Sequence, residues 1–87
     1  MVVYKLCWKE SVHKDFRRLS SHLCARIIKK VESFPANPTP TDSKKLRDTE
    51  HTYRVRVGDY RIIYQINTID REITICRVRH RKDAYKV

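Results

Sequence analysis

Three arginines, Arg54, Arg56 and Arg61, bracket the only glycine of the chain, Gly58, and its neighbour Asp59. A guanidinium is planar, permanently charged and forked, so it meets phosphate oxygens two at a time. Such groups suit phosphate binding and the stabilisation of a phosphorane-like transition state, and they are poor proton acceptors. A second basic group lies near the end: Arg79, His80, Arg81 and Lys82, followed by Tyr85. Histidine titrates in the range that acid–base catalysis uses. His80 is therefore a candidate for proton transfer, the alternatives being to orient Arg81 or to pack at a strand end. Tyr85 offers a ring face on which a base could stack. Lys44 and Lys45 are further candidates for phosphate contact.

Other chemistries find little support. His13, His22 and His51 are scattered and read as surface residues. No Cys/His spacing resembles a zinc site. Cys7, Cys24 and Cys76 are odd in number and widely spaced. They suggest small buried hydrophobes in a reducing compartment rather than a disulfide framework. Gly58 is placed for a turn and not for a glycine-rich phosphate loop.

The elements that position the cations follow from periodicity. Val2–Trp8 alternates and reads as a strand, with Val2, Tyr4, Leu6 and Trp8 on one side. From Glu10 the spacing of Val12, Phe16 and Leu19 predicts an amphipathic helix of about three turns. Ser20-Ser21 breaks it and offers a cap for a second helix marked by Leu23, Ile27, Val31 and Phe34, which ends at Pro35. The stretch from Pro35 to Asp42 is stiff and extended. Strands are expected at Thr52–Val57, Tyr60–Asn67 and about Glu72 to Arg79, with Gly58-Asp59 as a two-residue hairpin turn. The fold class is α+β, a single domain over residues 1–87. Its order is β-α-α-β-β-β, a helical hairpin on one face of a mainly antiparallel four-stranded sheet.

The two-residue turn fixes register. It sets Val57 opposite Tyr60, Arg56 opposite Arg61, Val55 opposite Ile62 and Arg54 opposite Ile63. Tyr53, Val55, Val57, Tyr60, Ile62, Tyr64 and Ile66 then share an apolar face under the helices. Arg54, Arg56 and Arg61 share the other face, two of them directly opposed, which destabilises a ladder; the face is either solvated, its arginines splaying into water, or a phosphate-binding platform. In the last strand, Ile73 opposes Ile66 and Ile75 opposes Tyr64. Continuing that phase carries Arg77 and Arg79 to the core face. Either a bulge shifts the phase near Arg77 or the strand outruns the helices there.

With 87 residues and a formal net charge of +10, the chain is too short for a doubly wound sheet or an α/β barrel. The charge points to a polyanionic partner, nucleic acid or an acidic protein. No apolar run has the length of a membrane span and no secretory signal opens the sequence, so no membrane and a cytoplasmic location are expected.

Four stretches carry a family resemblance: Lys44-Lys45-Leu46, Tyr53-Arg54-Val55-Arg56, Gly58 through Tyr64, and Arg77 through Tyr85. In this order they resemble the RelE branch of the RelE/ParE toxins of type II toxin–antitoxin systems, over essentially the whole chain. The resemblance implies an endoribonuclease that cuts mRNA in the A site of the 70S ribosome. In that reaction a 2′-OH attacks the adjacent phosphate, with no metal and no cofactor. It implies a cognate RelB-like antitoxin with an acidic wrapping segment, and contact with operator DNA only through the antitoxin complex. By the same resemblance Arg61 and Arg81 stand at catalytic arginines. Tyr85 matches a C-terminal tyrosine that stacks on a base or takes part in proton transfer. Arg54 and Arg56 replace two lysines, and Lys44, Lys45, Arg79 and Lys82 are further RNA contacts. The rival readings are a ParE-like inhibitor of DNA gyrase and a non-catalytic nucleic-acid-binding module.

Overall fold

The computed structural model describes residues 3–82. Strand β1 is Lys5–Trp8, followed by helices α1, Glu10–Phe16, and α2, Ser21–Glu32. Four strands come next: β2, Lys44–Lys45, β3, Thr52–Val57, β4, Tyr60–Asn67, and β5, Glu72–His80. They form one five-stranded sheet in the order β1-β5-β4-β3-β2, in which only the β1–β5 pairing is parallel. The helices cover one face, α1 against β5 and α2 against β3. No helix among the described residues is long and apolar enough to cross a membrane.

Two expectations need correction. The sheet has five strands rather than four, because Lys44–Lys45 pairs with Arg54 and Tyr53. Two exposed lysines have no apolar alternation to announce a strand. Helix α1 also stops earlier than its spacing suggests. Arg18 N–H and Leu19 N–H bond back three residues, to Asp15 O and Phe16 O, the tighter geometry of a closing turn. Ser20 then adopts an extended conformation, and its side chain accepts the Leu23 N–H at 3.1 Å. This is the expected cap of α2.

The hairpin register is as the turn demands, from Val57 opposite Tyr60 to Thr52 opposite Gln65. Gly58 sits at φ +59, a conformation in which a Cβ is strained and which the first position of this tight turn requires. The apolar face is buried as expected. Val55, Ile62, Tyr64, Ile73 and Ile75 pack under Val12, Ile27, Val31 and Phe34. Tyr64 stacks on Phe34 at 4.4 Å and on Tyr53 at 5.9 Å. Its hydroxyl donates to Pro38 O at 2.8 Å, which ties the proline-rich connection to the core. Burial pushes this phenol up to about 12. Cys76 is buried, Cys7 and Cys24 are partly so, and all three are free thiols.

The phase problem in β5 is settled by a bulge. Tyr64 pairs with Ile75 but Ile63 pairs with Arg77, leaving Cys76 as the extra residue. Beyond it Val78 joins Ile62 on the core face, and Arg77 and Arg79 pass to the face that the helices leave open. The bulged edge is closed by α1. Ser11 Oγ donates to Cys76 O at 2.7 Å, and Asp15 accepts the Val78 N–H at 2.9 Å.

Candidate nucleic-acid interface

The bulge completes a row of cations across three strands: Arg56 on β3, Arg61 on β4 and Arg79 on β5 are successive cross-strand neighbours. A second row runs Lys44, Arg54, Ile63, Arg77. Side chains at such positions lie about 5 Å apart at Cβ, so the charges repel. Arg61, at the centre, is only 5 % exposed, and its Nε has no hydrogen-bond partner among the described residues. A buried guanidinium flanked by two others is costly unless an anion is supplied from outside. The face thus concentrates positive charge around Arg61.

Arg77 Nε is likewise buried without a hydrogen-bond partner among the described residues, but the rest of its guanidinium finds a carboxylate. Its guanidinium reaches the edge of the sheet and pairs with Asp15 at 3.0 Å, on a carboxylate that is 10 % exposed. The sequence left the face of Arg77 open and gave no sign of Asp15. Asp15 is sixty-odd positions away from its partners, and no local pattern marks it. The face of Arg77 depended on the bulge.

Past His80 the chain continues alongside the hairpin turn. Arg81 N–H donates to Asp59 O at 2.7 Å, so Arg81 and Lys82, both exposed, stand at the Gly58-Asp59 end of the sheet. His80 pairs with Tyr60, which puts it on the helix side and not beside Arg61. Its ring meets Tyr60 edge-on at 5.3 Å, and its Nδ1 accepts the Lys82 N–H at 3.2 Å. The neutral ring thus carries its proton on Nε2. Of the alternatives open for His80, this geometry fits packing at the strand end and bracing of the turn that carries Arg81. Lys44 shares the platform, whereas Lys45 pairs with Tyr53 and takes the helix side. Tyr85 lies outside the described residues.

Residues 6–85 match the family model described as the ParE toxin of type II toxin–antitoxin system, parDE. The chain belongs to the RelE/ParE toxin family. Within it, the toxin RelE3 of Methanocaldococcus jannaschii is 33% identical over 85 residues, covering 93% of this chain and 94% of that one. The RelE–RelB complex of Pyrococcus horikoshii superimposes with a TM-score of 0.81 at 30% identity, covering 91% of this chain and 96% of the other. The RelB–RelE complex of Methanococcus jannaschii gives 0.77 at 29% identity, with 92% and 95% covered. These relatives make it a RelE-type toxin of the type II toxin–antitoxin class.

Proposed function

We propose that this RelE-type toxin is an endoribonuclease that cuts mRNA in the ribosomal A site and so arrests translation. The observation that carries the reading is the buried guanidinium of Arg61 between Arg56 and Arg79, its Nε without a hydrogen-bond partner among the described residues. In the cleavage the 2′-hydroxyl gives up its proton as its oxygen bonds to the neighbouring phosphorus. The bond to the 5′-oxygen breaks, that oxygen takes up a proton to leave as a hydroxyl, and a 2′,3′-cyclic phosphate remains. Charge on the phosphate rises on the way to the pentacoordinate state. Pre-aimed guanidinium groups stabilise that state more than the ground state. Arg61 is assigned the non-bridging oxygens, with Arg56 and Arg79 on either side. Arg81, held by the turn through Asp59, is assigned the leaving-oxygen end. Arg54 and Lys44 take the flanking phosphates, Lys82 lies beside Arg81, and Tyr85 supplies the stacking or proton-transfer role that the resemblance implies. His80 braces the 80–82 turn. Lys45, on the other side of the sheet edge, is left for ribosomal RNA. A RelB-like antitoxin is the partner that restrains the toxin, as the relatives crystallised with RelB support.

The match to a ParE model favours one other reading, inhibition of DNA gyrase without cleavage. Brief expression followed by mapping of mRNA 5′ ends on ribosomes separates the two. Codon-phased A-site cuts that vanish in Arg61→Ala are expected. Intact messages together with trapped gyrase–DNA complexes would overturn the nuclease.

A further inference from the structure

The open face of the sheet changes character along its length. Nearest the hairpin turn is the row Arg56, Arg61, Arg79, and next to it the row Lys44, Arg54, Ile63, Arg77. Two residues further from the turn, about 7 Å along the strands, a third row crosses four strands: Thr52, Gln65, Thr74 and Cys7. Its members are hydroxyls, an amide and a thiol. Beyond it Glu72 lies between Asn67 and Lys5, with Asp70 and Arg71 in the turn before it, so charges of both signs meet there. Phosphates are drawn to the hairpin end of the face and gain little at the far end.

The middle of the second row is apolar. Ile63 is half-buried between Arg54 and Arg77, and Asp15 draws the Arg77 guanidinium away to the edge of the sheet. Ile63 therefore forms an apolar floor between the Arg61 row and the polar row. In the polar row Gln65 is exposed, and Thr52 and Thr74 are partly so. None of these three side chains has a hydrogen-bond partner among the described residues. A side-chain amide sets an acceptor beside a donor pair, a pattern that meets the edge of a base with two bonds at once. Unstacked RNA bases are recognised through such edges. We infer that Gln65, flanked by Thr52 and Thr74, reads the base of a nucleotide whose phosphate lies on the Arg61 row, with Ile63 beneath it. Gln65 is then a specificity-determining residue. From Arg61 to Gln65 is four residues, about 13 Å along β4, a separation that one nucleotide bridges together with the two side chains. The inference rests on the nuclease reading above and adds to it the side chains that discriminate between messages.

The test maps mRNA 5′ ends on ribosomes after brief expression of the full chain and sorts the cuts by the base at each position around them. One position is expected to favour one base by about tenfold. Gln65→Met keeps the length of the side chain but removes its donor and acceptor. The variant is expected to keep its circular dichroism, to cut the favoured sequences about tenfold less often, and so to level the profile. Thr74→Val is expected to reduce the same cuts by less. An unchanged base profile in folded Gln65→Met, or a flat profile in the unaltered chain, would overturn the inference and leave the nuclease reading standing. Messages left intact by the unaltered chain would overturn both. A second measurement is independent of how the variants fold. Trinucleotides that are 2′-O-methylated, so that no 2′-hydroxyl can attack, are titrated into the unaltered chain and followed by NMR. Tri-adenosine and tri-uridine are expected to shift the Gln65 side-chain amide by different amounts. Equal shifts from both, or a Gln65 side-chain amide that stays in place while Arg61 N–H shifts, would overturn the inference.

Discussion

Arg61 and Arg79 face one another across the β4–β5 ladder only because Cys76 is an extra residue in β5. Without it, Arg79 would pass to the helix side, and the cation row would end at Arg61. One inserted residue thus decides whether the platform spans two strands or three.

Arg61→Met should separate function from stability. The variant removes a buried charge and two like-charge contacts, so thermal unfolding should rise by roughly 4–8 °C, equivalent to about 1 kcal/mol. Cleavage of ribosome-bound mRNA should fall about a hundredfold or more. A lower melting temperature would show that the guanidinium is structurally satisfied.

Asp15→Ala should destabilise by about 3 kcal/mol in urea unfolding, because it orphans the Val78 N–H and leaves Arg77 unpaired. Adding Arg77→Met should recover about 1 kcal/mol or more, as a double-mutant cycle would show. Strict additivity would mean that the 3.0 Å pair contributes nothing.

Tyr64→Phe should change the alkaline limb of stability. The folded phenol stays protonated up to about 12, whereas an unfolded tyrosine ionises near 10. Between these values the unfolded chain holds fewer protons, so stability falls as pH rises through that window. Urea midpoints measured from pH 9 upward should fall less steeply in Tyr64→Phe. Below pH 9 the variant should be about 1 kcal/mol weaker for want of the bond to Pro38.

Gly58→Ala forces a Cβ into φ +59 and should cost about 1–2 kcal/mol. The space itself admits a methyl group, since the nearest atom, on the Arg26 guanidinium, is at ordinary contact distance, 3.7 Å. The turn also carries Asp59 O, the acceptor for Arg81 N–H. A shift of the Arg81 amide resonance in this variant would reveal that coupling.

Much of the platform was legible in the sequence because a two-residue turn leaves register no freedom. Arg56 opposite Arg61 followed from Gly58-Asp59 alone. The row's third member did not follow, because Ile73 and Ile75 fix one phase and Val78 another. Sequence shows that the phases disagree but not where the chain absorbs the difference. Asp15 was invisible for a different reason: its partners, Arg77 and Val78 N–H, are brought to it by the fold. His80 stood out in the sequence as a titratable group among basic neighbours. The alternation of a strand sends it to the opposite side, against Tyr60.

The parallel pairing of Lys5–Trp8 with β5 has a consequence for synthesis. The first described strand must wait for the last one before it has a neighbour in the sheet. Arg79, the third cation of the row, arrives on that same late strand. A partly made chain therefore holds neither a closed sheet nor a finished cation row. The order in which the polypeptide leaves its own ribosome delays the formation of the platform until nearly the whole described chain has emerged.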